Sequence, residues 1–418
     1  MAQLQKVAVI GLGYVGLPLA VALAKSQAVT GFDINVERVS ELRAGHDRTN
    51  ELTSDDLKAS DLAVTSDPSD IQGCDIYIVA VPTPVDEAKN PDLAAVTGAS
   101  TLVGDVMAKG AIVVFESTVY PGVTEDVCGP ALEAASNLEC GKDFYLGYSP
   151  ERINPGDKVH TVDKITKVVA GQTPEVAEIL TKLYGAMNNG DIFVAKSIRA
   201  AEAAKVIENS QRDINIAFIN EVAMIFDRMG LPVQDVLEAA GTKWNFLKFS
   251  PGLVGGHCIG VDPFYLAHAA KAHGHDPEII LAGRRINDGM SAYITERVHE
   301  LLDNRQSDIL VLGLTFKENV PDLRNSQVRS IVDGLAALGH RVQVHDPLAD
   351  PVEADRHYGI TLQKSLSDDY DCIIGAVAHD EYKNITPENL IKPGGLIADL
   401  KAIWPDAATS DVCRYWSL

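Results

Sequence analysis

One unit near the N-terminus constrains this chain more than anything else in it. Residues 7–10, Val-Ala-Val-Ile, form a short apolar run, and Gly11-Leu-Gly-Tyr-Val-Gly16 follows at once. A helical stretch then runs from about 17 to 25, and a second apolar run, 29–32, ends at Asp33. A Gly-x-Gly-x-x-Gly alone is a weak signal, because glycine-rich turns are common. Here a strand precedes it, a helix follows it, and an acid closes the next strand about 20 residues on, the full context of a dinucleotide-binding βαβ unit. Gly11 permits the tight turn, Gly13 lets backbone approach a pyrophosphate, and Gly16 allows close helix–strand packing. The helix N-terminus supplies the anion site. Asp33 is placed to bind both hydroxyls of an adenosine ribose and to repel a 2′-phosphate, so the expected cofactor is NAD. The plainer alternative, glycines that merely turn the chain, has the joint presence of all four elements against it.

The alternation continues. Strand-like runs at 76–81, 112–115, 145–148 and 166–169, separated by segments of helical composition, predict a parallel, doubly wound sheet. From about 197 to 229 apolar residues recur at helical spacing without Gly or Pro, which predicts one helix of roughly 50 Å. Gly230, with Pro232 just beyond, stops it. Helical sequence continues to about 302, interrupted over 252–263, and from 303 the strand–helix alternation resumes. Strands are expected at 309–313, 341–345, 372–377 and 396–399, and a helix at 327–338. The expected fold is therefore α/β: two Rossmann-like doubly wound domains, 1–196 and 303–418, joined by a long central helix and helical dimerisation segment, 197–302. A long helix that is apolar nearly all round needs cover on several sides, and a second copy of the chain is a natural cover. A homodimer is expected.

Charge and cysteine usage exclude several partners. Lys plus Arg is 36 against 58 Asp plus Glu, a net charge of −22, which repels nucleic acid and anionic membrane surfaces. An anionic ligand would need local basic residues and helix N-termini to reverse that field. No window approaches ~20 uninterrupted apolar residues, so no membrane span is expected. The first residues run straight into a strand and leave no room for a signal peptide, which points to the cytoplasm. Cysteines 74, 128, 140, 258, 372 and 413 form no Cys-x-x-Cys pair. Reduced thiols, most of them buried, and no metal site are the expectation.

One cysteine stands apart. Gly255-Gly-His-Cys-Ile-Gly-Val-Asp-Pro263 places Cys258 in a glycine-rich, exposed turn, with Asp262 four residues on as a base for water. On the long helix Lys205, Asn209 and Arg212 fall at i, i+4 and i+7, one stripe of the cylinder. Such a stripe is ordinarily a solvated face. A Lys beside an uncharged Asn between apolar flanks reads instead as two donors aimed at one oxygen. With Cys258 they suggest chemistry at a carbonyl: a thiolate to attack it and an oxyanion site to receive the charge.

These residues resemble the UDP-glucose/GDP-mannose dehydrogenase family over essentially the whole chain. The matching motifs are Val9-Ile-Gly-Leu-Gly-Tyr-Val-Gly-Leu-Pro18, Val81-Pro-Thr-Pro84, Glu116-Ser-Thr-Val119, Ser149-Pro-Glu151, Lys205 with Asn209, Gly255-Gly-His-Cys258 with Asp262, and Gly313-Leu-Thr-Phe-Lys317 with Asp322 and Arg324. The resemblance implies oxidation of a nucleotide-sugar C6 alcohol twice, to a carboxylate, with two NAD⁺ consumed. It implies Cys258 as nucleophile and Lys205 and Asn209 as oxyanion stabilisers, with Lys205 also an acid/base. Asp262 and Thr118 would position or activate water, and Glu151 would assist at the same carbon. Gly11, Gly13, Tyr14, Val15, Gly16, Asp33, Arg38, Thr83, Thr118 and Arg324 would hold NAD. Phe249, Gly252, Gly255, Phe316, Lys317 and Lys401 would hold the UDP moiety.

The run Ser149-Pro-Glu-Arg-Ile-Asn-Pro-Gly-Asp157 looks like the branch that acts on UDP-N-acetylhexosamines, UDP-GlcNAc or UDP-GalNAc. Glucose-type members carry an aromatic residue after Ser-Pro-Glu, and members acting on the manno epimer carry Leu-Pro-Gly where this chain has Asn-Pro-Gly. The run Lys243-Trp-Asn-Phe246 also departs from the glucose type, which places an Arg thereabouts. Arg152 and Arg212 are candidates for contacting the N-acetyl sugar or its phosphates, with ordinary surface arginines as the alternative. The implied enzyme is a 6-dehydrogenase working through a cysteine thiohemiacetal and thioester, in surface-polysaccharide synthesis. UDP-glucose or UDP-N-acetylmannosamine is the alternative substrate. A catalytically silent NAD-binding sensor is the alternative of another class, and the joint presence of Cys258, Asp262, Lys205, Asn209 and Glu151 argues against it.

Overall fold

Apolar runs with no polar alternation suit strands covered on both faces, and those of the N-terminal part pair in that way. The computed structural model describes residues 5–153, 159, 161–256 and 259–418. Cys258 and the Asn-Pro-Gly run therefore lie outside the described residues. The chain divides into two units, residues 1–208 with 264–276, and 209–263 with 277–418.

The first unit holds β1 (Lys6–Ile10), β2 (Ala28–Phe32), β3 (Ala63–Thr65), β4 (Ile76–Val79), β5 (Ile112–Phe115), β6 (Tyr145–Tyr148), β7 (Lys167–Gly171) and β8 (Ile192–Val194). They form one sheet in the order β3-β2-β1-β4-β5-β6-β7-β8. Its helices are α1 (Gly16–Ala24), α2 (Val36–Arg43), α3 (Ser54–Ala59), α4 (Ala94–Val106), α5 (Gly129–Ser136) and α6 (Pro174–Gly185). Alternate strand residues feed two cores. Ala8, Ile10, Tyr77, Val79, Val113 and Phe115 pack with α4 and α5, while Val7, Val9, Ile76, Ile78 and Val114 pack with α1 and α6. Chain order reverses between β1 and β4, which opens the crevice where open α/β sheets bind ligands.

The expectation of a parallel sheet needs one correction. β7 runs antiparallel to β6, with Gly147 opposite Gly171 and Tyr148 opposite Ala170. No helix is described between these strands, and without a crossover helix the chain returns antiparallel. The short strands β3 and β8, three residues each, carry too little pattern to be read from sequence.

The centre of the chain is helical: α7 (Ile198–Met229), α8 (Val233–Ala240), α9 (Asp262–Ala272) and α10 (Glu278–Leu301). The idea that α7 is apolar nearly all round is wrong. Glu202, Lys205, Asn209, Ser210, Asp213 and Asn220 are buried, whereas Ile207, Phe218, Ile225 and Met229 are exposed. The inward face thus mixes these polar groups, which find partners there, with Ile198, Val206 and Ile219, and some of the helix's large apolar residues are left outside.

The second unit repeats the opening design. β9 (Asp308–Leu312), β10 (Arg341–His345), β11 (Tyr370–Gly375), β12 (Ile391–Asp399) and β13 (Arg414–Ser417) form a parallel sheet in the order β10-β9-β11-β12-β13, with α11 (Val328–Ala337) and α12 (Pro351–Tyr358). Gly313 follows β9 at φ +97°, as Gly11 follows β1 at φ +93°. Asp346 then accepts the Leu314 N–H, as Asp33 accepts the Leu12 N–H. Cys74, Cys128 and Cys372 are buried free thiols, and Cys140 and Cys413 are half-buried. Among the described residues no cluster of acidic, His or Cys side chains could hold a metal, and no helix is long and apolar enough to cross a membrane.

Candidate active site

The glycine turn is built by close approach. A Cβ on Gly11 would lie 2.9 Å from the Ala80 carbonyl oxygen, and one on Gly16 would lie 1.8 Å from that of Gly11. A Cβ on Gly13 would meet nothing within 4 Å, so the turn has an open face at the start of α1, flanked by half-buried Tyr14 and Val15. Asp33 accepts the Leu12 N–H through Oδ2 at 2.9 Å and the Asn35 N–H through Oδ1 at 2.8 Å, which leaves each oxygen a lone pair for a ribose hydroxyl. Arg38 is buried; it donates from Nε to the Leu12 carbonyl and from Nη2 to Asp47, while its Nη1 has no partner among the described residues. Thr83, after β4, donates to the Thr118 carbonyl, after β5, at 2.7 Å. An open glycine face, an unfilled acidic acceptor pair and an orphaned buried guanidinium N–H together fit NAD.

Beside that crevice lies a charged cluster that sequence alone did not reveal. Lys167 Nζ donates to Glu116 at 2.6 Å and to Glu151 at 3.0 Å, and the Tyr184 hydroxyl donates to Glu116 at 2.6 Å. Glu151 also accepts the backbone N–H groups of Arg152 and Ile153, each at 2.6 Å. Burial pushes the Glu116 carboxyl up to about 7, against the pull of Lys167. For Glu151 burial is outweighed by Lys167 and the two N–H donors, which hold the carboxyl below its usual range. Glu202, on α7, accepts the Gly122 and Thr124 N–H groups and so fixes the loop that begins at Thr118. Lys205, one turn further along α7, is buried. Arg152 is paired with Glu208 and donates to the Thr166 carbonyl.

In the second unit Asn209 is fully buried; its amide donates to Asp262, the first residue of α9, and its oxygen accepts from Arg212. The solvated-stripe reading of the helix therefore fails for Lys205 and Asn209, and Arg212 alone of the three is exposed. Gly252 is gripped by Asn220, which accepts its N–H at 2.8 Å and donates to its carbonyl at 3.0 Å. Asn220 also donates to Asn287, which donates to Asp213, itself paired with Arg284. Gly255, Phe316, Lys317 and Lys401 line one cleft with Leu253 and Glu318. The Lys401 ammonium lies 3.0 Å from where a Gly252 Cβ would be, and the Phe316 ring crowds Gly256, at φ +77°. Phe249 is half-buried at the start of this loop. Arg324 forms a two-point ion pair with Asp322.

Lys167, Glu202 and Asn220 were not singled out from sequence, and Glu116 entered only as the first residue of a matching motif, with no role. Their signal was a charged residue at the end of, or within, an otherwise apolar strand, and a polar stripe on α7 that extends beyond Lys205 and Asn209 in both directions.

Comparison with known proteins supplies the rest. Residues 5–188 match the NAD-binding domain of the UDP-glucose/GDP-mannose dehydrogenase family, 199–289 its central domain and 310–406 its UDP-binding domain. The chain is 54% identical over 396 residues to the UDP-N-acetyl-D-glucosamine 6-dehydrogenase of Pseudomonas aeruginosa, covering 93% of this chain and 94% of that protein. It is 48% identical over 417 residues to the enzyme of the same name from Salmonella typhi, covering 97% and 98%. Among solved structures, the UDP-D-ManNAc dehydrogenase of Pyrococcus horikoshii superimposes with a TM-score of 0.88 at 31% identity, over 98% of both chains.

Proposed function

The chain belongs to the UDP-glucose/GDP-mannose dehydrogenase family, and from that membership we propose that this NAD-dependent UDP-sugar dehydrogenase oxidises the C6 alcohol of a UDP-N-acetylhexosamine, UDP-GlcNAc or UDP-GalNAc, to the uronic acid. The choice of sugar is supported by the names of the two relatives and by Glu151-Arg-Ile-Asn-Pro-Gly156, which resembles the acetamido-sugar branch. The chemistry is supported above all by one contact, the buried Asn209 amide on Asp262.

The Gly11–Gly16 turn, Asp33, Arg38, Thr83 and Thr118, with Arg324, would hold NAD, which would supply the hydride acceptor for both oxidations. The UDP moiety sits in the cleft of Phe316, Lys317 and Lys401 beneath residues 249–255, with Arg152 and Arg212 serving the sugar end. Cys258 as thiolate adds to the C6 aldehyde, and Lys205 and Asn209 donate to the resulting oxyanion. After the second oxidation the thioester is hydrolysed by water held at Asp262 and Thr118, assisted by Glu151. We assign an NAD domain (1–196), a central helical domain (197–302) and a UDP domain (303–418). A cytoplasmic homodimer is proposed, its contact on the outward apolar residues of α7, and surface-polysaccharide synthesis as the use of the product.

UDP-N-acetylmannosamine is the second reading, favoured by the Pyrococcus structure. A panel of UDP-sugars, followed by NADH absorbance and product mass, separates the two. Two NADH per acetamido sugar and no free aldehyde are expected, and Cys258→Ala should abolish acid formation while leaving NAD binding intact. Uronic acid made at near wild-type rate by Cys258→Ala would exclude covalent catalysis at this residue.

A further inference from the structure

The antiparallel course of β7 has a chemical result. β5 and β6 end at the edge of the sheet that carries the site, and Glu116 and Glu151 follow those ends. A parallel neighbour would begin at the far edge. Because β7 runs the other way, its first residue, Lys167, arrives at the same edge as the two carboxylates. The lysine is fully buried, and its third N–H direction has the Tyr184 ring, whose centroid is 5.4 Å away. An ammonium taken wholly out of water costs several kcal/mol unless its charge is matched. Here two carboxylates match it, one more than neutrality requires.

The hydrogen bonds fix what Glu151 is able to do. Its Oε1 takes two backbone N–H groups and its Oε2 takes Lys167, so three of about four lone-pair positions are filled by donors. Among the described residues this leaves one acceptor position on Oε2, for a water or a substrate hydroxyl. We propose that Lys167 is a positioning residue, which holds Glu151 as an immobile, permanently ionised acceptor that orients a hydroxyl or water and never donates a proton, while Glu116 takes up any proton the cluster binds. The inference rests on the place of Glu151 in the reading above and adds its charge state and the group that sets it. Among the described residues, the titratable groups that face Glu151 are Lys167 from β7, Glu116 from the end of β5 and, behind them, Tyr184 from α6. The opposite displacements of the two carboxyls agree with this division: Glu116 is pushed up by burial and by the Glu151 charge, and Glu151 is held down by Lys167.

Two variants with opposite signs test it. Lys167→Met removes the charge and keeps the length. The acid limb of the kcat profile should move up by about 1–3 pH units, the effect of losing an opposite charge within ~4–6 Å, with KM for NAD unchanged and Lys167→Arg restoring the limb. Glu116→Gln leaves Lys167 to Glu151 alone, so the same limb should stay or move down, and this variant serves if Lys167→Met does not fold. A wild-type profile in Lys167→Met overturns the proposal. So does a fall in kcat in both variants without any displacement of the limb, which is what a merely structural cluster would give. If instead the wild type makes one NADH per sugar, the four-electron reading fails, and the profiles of the two variants still report on Lys167 separately.

Discussion

Replacing Asn220 with Ala should loosen the substrate loop from a distance. The side chain lies on the buried stripe of α7 and binds Gly252 as a strand neighbour would, accepting its N–H at 2.8 Å and donating to its carbonyl at 3.0 Å. A third bond, at 2.8 Å, goes to Asn287. Truncation leaves three buried groups without their partner: the Gly252 N–H, its carbonyl, and the Asn287 oxygen. Each unsatisfied group costs about 1–3 kcal/mol. Allowing water to enter the space, a net loss of about 3 kcal/mol is expected, or about 6–12 °C in Tm for a unit of this size. Because the loop from Phe249 to Gly255 is the proposed uridine clamp, KM for the UDP-sugar should rise at least about tenfold, while KM for NAD, read in the other unit, stays level. Asn220→Asp keeps the acceptor and loses the donor, so it should fall between. NADH-coupled kinetics and differential scanning fluorimetry on the same preparations measure both effects. An unchanged KM for the UDP-sugar together with an unchanged Tm would refute the idea that this amide holds the loop.

Two further outcomes are expected. In Gly16→Ala the new methyl meets the Gly11 carbonyl oxygen at 1.8 Å, so the turn must move; NAD affinity should fall at least about tenfold, as read by titration of NADH fluorescence, with UDP-sugar binding retained. Burial alone would raise the Asp346 carboxyl, but His379 and the Leu314 and Thr315 N–H groups outweigh it and hold the group at about 2. A depressed carboxyl stabilises the fold above its unfolded pKa of about 3.9 and loses that contribution as pH falls through the folded value, about 2–3 kcal/mol in all. Asp346→Asn should therefore be less stable at neutral pH by about that amount, with the deficit shrinking toward pH 2. A deficit that is constant with pH, measured by denaturant unfolding, would contradict the linkage.

The parts of the site that sequence made legible are those encoded within a single turn or helix. The Gly11–Gly16 turn with Asp33 and the Lys205–Asn209 pair follow from local spacing, whereas Phe316 and Lys317 came only from the family resemblance. The parts it hid depend on partners far away in the chain. Lys167 in an apolar strand has no visible reason until the antiparallel return of β7 sets it between Glu116 and Glu151. The pairing of Arg152 with Glu208, more than 50 residues on, is equally invisible in the sequence. The direction of a strand leaves no trace in its composition, and the reach of the polar stripe inside α7, from Glu202 to Asn220, shows only once its partners are known.

Asp33 does two jobs with one carboxylate. Its oxygens brace the glycine turn through Leu12 and Asn35, and in the proposed binding mode they would also hold the ribose hydroxyls. A lineage drifting toward a 2′-phosphorylated cofactor would have to give up this acid, and with it the strut of its own phosphate loop. No single substitution gains the new cofactor without first damaging the old turn, so a switch must pass through a poorer enzyme or change several positions together. Cofactor choice in this scaffold is thus inherited as part of its architecture, whereas the proposed uridine loop, which Asn220 grips through the backbone of Gly252, leaves its side chains free to change one at a time.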